Sequence, residues 1–119
     1  MPRSPLAESF TLEGTGAGRL LVRRALPRTG GEPYWHSCRL ATFQAVARAA
    51  QAAGSDGFTY TELKETLHLP FSQIATAMAF LRNRGITELR SPRRNFAATR
   101  TVYLDAMTEF RGLRKGTRD

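Results

Sequence analysis

Residues 58–86 read FTYTELKETLHLPFSQIATAMAFLRNRGI and predict two amphipathic helices joined by a tight turn. Thr59 and Glu62 have the spacing of a capping box, in which each side chain accepts a hydrogen bond from a backbone amide at the start of the helix. The turn falls at residues 68–70, because proline disfavours helical geometry at the residue before it. This segment therefore predicts a helix–turn–helix.

The second of these helices combines an apolar stripe with an opposite face that carries no acid. Its cap is expected at Ser72 and its end at Gly85, where a left-handed backbone is easily tolerated. Helical spacing predicts the buried stripe, which consists of Phe71, Ile74, Met78 and Leu81. The opposite face has Arg84 at its edge and carries Ser72, Gln73, Thr76, Ala79, Phe80 and Asn83. A helix face that only meets water usually carries Glu and Lys, so this composition favours contact with a phosphate backbone.

A basic turn between two short strands follows this helix. Strands are expected over residues 86–90 and 96–103, with Pro-Arg-Arg-Asn at residues 92–95 between them. We expect a last helix over residues 104–113, and its apolar side chains exceed what a small core must bury: Leu104, Met107 and Phe110. The chain then ends in a basic tail.

Glycine and proline disfavour helix in most of the first 34 residues. Polar and apolar side chains alternate over residues 9–13 and 19–25, which predicts a β-hairpin or an extended arm. The glycine-rich turn between them lacks the G-x-G-x-x-G spacing at the start of a helix. It therefore does not match a dinucleotide-binding loop.

One domain with terminal extensions is the expected organisation of the 119 residues. A helix is expected over residues 37–53, with Ser37 as its cap. Trp35 and His36 are expected to anchor the preceding connector on the core. The three expected parts are an N-terminal arm (1–34), a domain (35–113) and a basic tail (114–119).

The charge balance favours a polyanionic partner. The formal net charge is +8, and almost all of the positive charge is arginine. Residues 92–119 hold seven basic and three acidic side chains, whereas residues 35–91 hold six and four. Nucleic acid is the commonest polyanion in a cytoplasm. An arginine-rich composition inherited from a GC-rich genome is the alternative explanation.

Several function classes are not expected. Cys38 is the only cysteine, so the chain has no intramolecular disulfide and no Cys-rich zinc site, and Cys38 is expected to pack rather than to act as a redox sensor. Neither His36 nor His68 has a partner at metal-ligand spacing, and no nucleophile motif occurs. Asp105 and Glu109 are expected to pair with arginines or to face solvent. We expect no enzyme, no cofactor and no metal.

The location expected from the sequence is the cytoplasm. The longest apolar runs are only a few residues, so no segment is expected to span a bilayer. The N-terminal residues are not followed by an apolar stretch long enough for a secretory signal.

Residues 37–113 resemble the winged helix-turn-helix family of bacterial transcriptional regulators. The matching features are the Thr59-x-x-Glu62-Leu63 start, Leu67-x-Leu69, the Ile74, Met78 and Leu81 stripe, Gly85-Ile86, and the hairpin with Arg93 and Arg94. The resemblance implies an α+β fold with a three-helix core and a β-hairpin wing, to which the N-terminal arm and the C-terminal helix are added. It implies that the helix 71–84 lies in the major groove and that the wing 91–96 touches the backbone or the minor groove. It also implies a homodimer.

The function expected from these features is sequence-specific binding of double-stranded DNA by a transcriptional regulator. Amides such as Gln73 and Asn83 can form paired hydrogen bonds with adenine, and an arginine can address guanine or a phosphate. The expected DNA contacts are Ser72, Gln73, Thr76, Phe80, Asn83, Arg84, Arg93, Arg94, Asn95 and Arg100. Phe80 either touches thymine methyl groups or packs beneath the wing or in a subunit contact.

A second hypothesis belongs to another class. The fold also serves as a protein-interaction module, so an adaptor within a nucleic-acid assembly remains open. In that case an exposed Phe80 and the basic tail would bind another protein. The sequence names neither an operator nor a small-molecule effector.

Overall fold

The computed structural model describes residues 6–27, 30–90 and 93–114, which form an α+β fold with four α-helices and two small antiparallel sheets. The first sheet consists of β1 (Leu6–Glu13), β2 (Leu20–Pro27) and β3 (Tyr34–Arg39) in that order. The hairpin predicted near the N-terminus is therefore confirmed. It has a third strand where the sequence predicted a connector.

Helix α1 (Leu40–Ala53) begins three residues later than predicted. Ser37 pairs with Val22 inside the sheet, so the prediction that it caps the helix is wrong. Trp35 and His36 also lie in β3 and are exposed, so they do not anchor a connector on the core. Arg24 instead places its guanidinium 5.7 Å from the Trp35 ring.

The helix–turn–helix is confirmed as helices α2 (Tyr60–Leu67) and α3 (Phe71–Asn83). The capping box at Thr59 and Glu62 is present in full. Helix α3 begins after Pro70 without a side-chain cap, so the prediction of a cap at Ser72 is wrong. Pro70 occupies the N-cap position, and its carbonyl accepts hydrogen bonds of 3.1 Å from the Gln73 and Ile74 amides.

The second sheet lies beside the start of α2. Strands β4 (Thr87–Arg90) and β5 (Arg94–Ala97) form an antiparallel hairpin. Phe58 joins it through two backbone hydrogen bonds to Asn95, each of 2.8 Å. This bridge fixes the hairpin against the segment that enters α2.

Helix α4 (Val102–Arg111) begins where the sequence predicted the end of a strand. The Gln51 side chain explains the difference, because it holds both sides of this entrance. Its Nε2 donates to the Arg100 carbonyl at 3.0 Å, and its Oε1 accepts from the Tyr103 amide at 3.1 Å. Val102 is fully buried at this point. The long-range contact with α1 thus overrides the β-branched preference of the local sequence.

One hydrophobic core joins both ends of the described chain to the helices. Phe80 lies 5.2 Å from Phe10 and 5.5 Å from Phe43 between ring centroids. Phe110 stacks on Phe43 at 5.0 Å. Phe110 and Met107 are therefore buried, which corrects the expectation that α4 carries surplus apolar side chains. Of the three side chains expected there, Leu104 alone is exposed.

Candidate functional site

The first sheet covers much of the face of α3 that was expected to meet DNA. Thr76 and Phe80 are 1% and 0% exposed. The Thr76 hydroxyl donates to the Ser72 carbonyl at 2.8 Å, and the Phe80 ring lies between aromatic rings of β1 and α1. These two side chains therefore do not lie on an outward face. Phe80 therefore packs in the interior, as one of the two alternatives predicted. Its partners are Phe10 of β1 and Phe43 of α1, and not the wing or a second subunit.

The other side chains on α3 that were expected to contact DNA differ in their exposure and in their hydrogen-bond partners. Ser72 is exposed, whereas the Gln73 Oε1 accepts a hydrogen bond of 3.1 Å from the Arg39 amide of β3. Asn83 and Arg84 are exposed at the end of the helix and bond to each other at 2.7 Å. Arg84 also lies 3.4 Å from a Glu109 carboxylate oxygen and over the Phe80 ring. Its guanidinium is thus directed to α4.

Arg94 holds the hairpin β4–β5 on the start of α2. Its guanidinium donates to the Glu62 carboxylate at 2.7 Å and to the Asp56 carbonyl at 3.1 Å. The hydrogen bond from Arg94 is the largest cause of the lowered pKa of Glu62. Desolvation opposes it, and the hydrogen bonds with Thr59 and the charge of Arg94 lower the pKa further. Arg94 therefore has a positioning role in this structure.

The remaining residues expected in the wing are divided between surface and interior. Arg93 is exposed. Asn95 is 1% exposed, and its Oδ1 has no hydrogen-bond partner among the described residues. Arg100 is exposed but lies beyond the hairpin, on the segment that enters α4. Residues 91 and 92 of the expected wing and most of the expected basic tail lie outside the described residues.

Two neighbouring cavities share Tyr60 and form a continuous surface, which we call the basic groove. The first, of about 540 Å³, lies between α2 and α3 and includes Lys64 and Phe71 in its lining. The second, of about 320 Å³, lies between α3 and the hairpin. The residues that define the basic groove are Tyr60, Lys64, Phe71, Arg82, Leu89 and Arg93.

The basic groove combines cationic and apolar side chains, and the lining of its first cavity also contains the acid Glu65. Lys64, Arg82 and Arg93 come from α2, α3 and the hairpin, and none of them forms an ion pair with a described residue. Tyr60 and Phe71 meet edge to face at 5.1 Å. Such a surface can attract phosphates by charge and can contact sugars, bases or apolar side chains with its rings.

The sequence interpretation missed Lys64, Arg82 and Tyr60. One signal was available, since Phe71, Ala75 and Arg82 are separated by four and seven residues and so share a face of α3. That face lies between the predicted apolar stripe and the predicted reading face. It was passed over because Phe71 was assigned to the core, whereas the structure leaves it 49% exposed.

Chemistry outside this surface is sparse in the described ranges. No group of three or more His, Cys, Asp or Glu side chains in them could hold a metal ion. Cys38 is fully buried in β3, and burial raises the pKa of its thiol to about 12. Glu109 pairs with Arg84, and Asp105 accepts a hydrogen bond from Thr101. No helix in the same ranges has the length and apolarity needed to cross a membrane.

Comparison with known proteins gives no relative. No protein-family model matches the chain, and neither the curated proteins nor the solved structures contain a significant match.

Proposed function

We propose that the protein is a winged-helix transcriptional regulator that binds double-stranded DNA through the basic groove. The observation that carries the proposal is that Lys64 lines one cavity and Arg82 and Arg93 line a second, and that the two cavities share Tyr60. Helices α1 to α3 and the hairpin β4–β5 are compatible with the three-helix core and wing that the sequence resemblance implies. The proposal moves the interface from the covered face of α3 to its exposed edge.

Each element has a part in this proposal. Lys64 and Arg82 contact phosphates on either side of α3, and Arg93 reaches the backbone or a narrow minor groove. Ser72 and Ala75 are small, so the exposed edge of α3 can approach base edges closely. The ion pair of Arg94 with Glu62 keeps the hairpin at a fixed angle to this edge. Phosphate contacts supply most of the affinity, and the few side chains near the bases supply the specificity.

Fluorescence anisotropy on a labelled duplex of mixed sequence, at several salt concentrations, tests the proposal. Lys64→Gln, Arg82→Gln and Arg93→Gln should each weaken binding and reduce the slope of log affinity against log salt by about one unit. Arg48→Gln is the matched control, because it removes the same charge from an exposed site on α1. Equal losses in all four variants would mean that net charge, and not this groove, attracts DNA.

Protein binding is the second candidate, and exposed apolar side chains in the same groove favour it. Phe71 and Leu89 line the two cavities of the groove and are 49% and 55% exposed, which is high for large apolar residues. An adaptor would use them as anchors for a partner side chain. Failure of the unmodified protein to bind any duplex at low salt would reject DNA binding and favour this candidate.

A homodimer is part of the DNA-binding proposal, because one unit of this size contacts few base pairs and specificity usually needs two copies. The side chains left for such a contact include Leu104, at 61% exposure, and Trp35 on the outer face of the first sheet. Light scattering with and without DNA measures it. A monomeric mass in both conditions would exclude the dimer.

A further inference from the structure

A second cationic cavity lies at the turn of the first hairpin, far along the chain from the basic groove. Its volume is about 300 Å³, and we call it the hairpin cavity. Its lining includes Gly14, Thr15, Gly16, Arg19 and Arg111. The glycine-rich turn and the end of α4 therefore meet here, although they are separated by most of the sequence. None of these residues belongs to the basic groove.

Backbone hydrogen bonds fix the walls of the hairpin cavity. The Gly18 amide donates to the Thr15 carbonyl at 3.1 Å, which closes the turn on itself. The Leu12 amide donates to the Arg114 carbonyl at 3.0 Å, so β1 is tied to the chain that follows α4. The Leu40 amide donates to the Arg19 carbonyl at 3.1 Å. The two arginines thus extend from backbone segments that are tied to the same frame.

Gly16 lines the cavity and has open space where a side chain would lie. A Cβ built on Gly16 would meet no atom within 4 Å, so this part of the turn borders free space. The volume is at the lower end of the range of ligand sites, roughly 300–1,000 Å³. A compact group fits such a cavity better than an extended ligand.

The charge of the hairpin cavity is positive and unbalanced. Arg19 is half-buried and Arg111 is exposed, and neither forms an ion pair with a described residue. The lining contains no acid. Two guanidinium groups at one cavity repel each other unless an anion lies between them. Guanidinium also presents paired N–H donors that match the oxygens of phosphate.

We propose that the hairpin cavity binds a phosphate group, held between Arg19 and Arg111 above the turn at Gly16. The phosphate belongs either to a small phosphorylated compound or to a nucleic-acid backbone that passes this end of the molecule. Thr15 adds a hydroxyl to the lining, which can donate to a third phosphate oxygen. The proposal does not depend on the basic groove, because the two sites share no residue.

Titration of the full chain with inorganic phosphate, followed by amide NMR shifts, tests the site directly. Saturable shifts are expected at Gly14 to Arg19 and near Arg111. Arg19→Gln and Arg111→Gln should each weaken this binding by about tenfold or more, because each removes a charge-assisted contact. Arg48→Gln is the matched control, since it removes an exposed arginine outside the cavity. Circular dichroism confirms that each variant keeps its fold.

The outcomes separate support from refutation. Shifts that chloride reproduces at equal ionic strength, or that persist in Arg19→Gln and Arg111→Gln, would overturn the proposal, as would the absence of saturable shifts. Both sources of phosphate support it and are told apart by a duplex-binding arm. Weaker DNA binding in these two variants, but not in Arg48→Gln, identifies a backbone phosphate. If the protein binds phosphate and the two variants bind DNA as the parent does, the ligand is a small phosphorylated compound. The same conclusion follows if the protein binds phosphate and neither the parent nor any variant binds DNA.

Discussion

The two hairpins of this protein have opposite roles in the fold. Hairpin β1–β2 directs Phe10, Leu12 and Leu21 into the core, where each is at most 7% exposed. Hairpin β4–β5 leaves Glu88, Leu89 and Arg90 exposed, and it is held by the bridge from Phe58 and by the ion pair of Arg94. The difference follows from alternation, because a strand with large apolar residues at every second position can bury one whole face. A strand with charges at those positions stays outside.

This difference determines which surface of α3 is free. The first hairpin and β3 cover the side of α3 on which Thr76 and Phe80 lie. The second hairpin leaves an open groove beside Arg82. A sequence-level interpretation that treats both hairpins as projections therefore selects a side of the helix whose Thr76 and Phe80 are buried.

Removal of the first hairpin should have the largest effect. A chain that begins at Tyr34 lacks β1 and β2, so Phe43 and Phe80 lose the layer that covers them. We expect loss of the cooperative thermal transition, measured by circular dichroism, and loss of amide dispersion in NMR spectra. A sharp melting transition in the shortened chain would show that the hairpin is an arm on a self-sufficient domain.

Phe80→Ala should cost about 3–5 kcal/mol of the free energy of unfolding, because it removes a fully buried ring that contacts two others. Phe71→Ala is the matched control on the same helix. Its ring is 49% exposed, so the cost should stay below about 1 kcal/mol. Urea denaturation measures both. If both substitutions lowered the free energy of unfolding by a similar small amount, Phe80 would not be a core residue. The two sides of α3 would then not differ in burial.

Gly57→Ala should loosen the second hairpin. Gly57 has φ 73 and ψ 179, and an added Cβ would lie 2.8 Å from the Asn95 carbonyl oxygen and from the Phe96 ring. The backbone conformation alone costs of order 1–3 kcal/mol for a residue with a side chain. Gly16→Ala, with φ 57 and no atom near the added Cβ, is the control and should cost roughly 1 kcal/mol. Urea denaturation should rank the two in that order, and the reverse order would contradict the close approach at Gly57.

Glu62→Gln should have the smallest effect, and the effect should depend on pH. The hydrogen bond from Arg94 lowers the pKa of Glu62 in the folded state, so its stabilisation is present above the unfolded pKa, about 4.3. It is lost as the pH falls through the folded value. The difference in melting temperature between the parent and Glu62→Gln should therefore be largest near neutral pH and should shrink in acid. Glu65→Gln controls for net charge, and a difference that is constant down to pH about 3 would exclude the ion pair as its source.

Local signals predicted the parts of the fold that local physics controls. The capping box at Thr59, the turn before Pro70 and the end of α3 near Gly85, with φ 71, were all correctly predicted from neighbouring residues. The predictions failed at Ser37 and Val102, where distant partners set the conformation. Of the expected DNA contacts, Thr76, Phe80 and Asn95 are buried, because strands and rings from other parts of the chain cover them.

The sequence by itself determined helices α2 and α3, the capping box of α2, the two hairpins and the excess of arginine, since each depends on residues a few positions apart or on composition alone. Only the tertiary structure decided which side of α3 stays open. It also brought Lys64, Arg82 and Arg93 to one groove and Arg19 and Arg111 to one cavity. The physical reason is that burial of apolar area acts between segments without regard to their separation in the chain. The packing of Phe10 on Phe80, and not a local pattern, therefore selects the surface that is left for a partner.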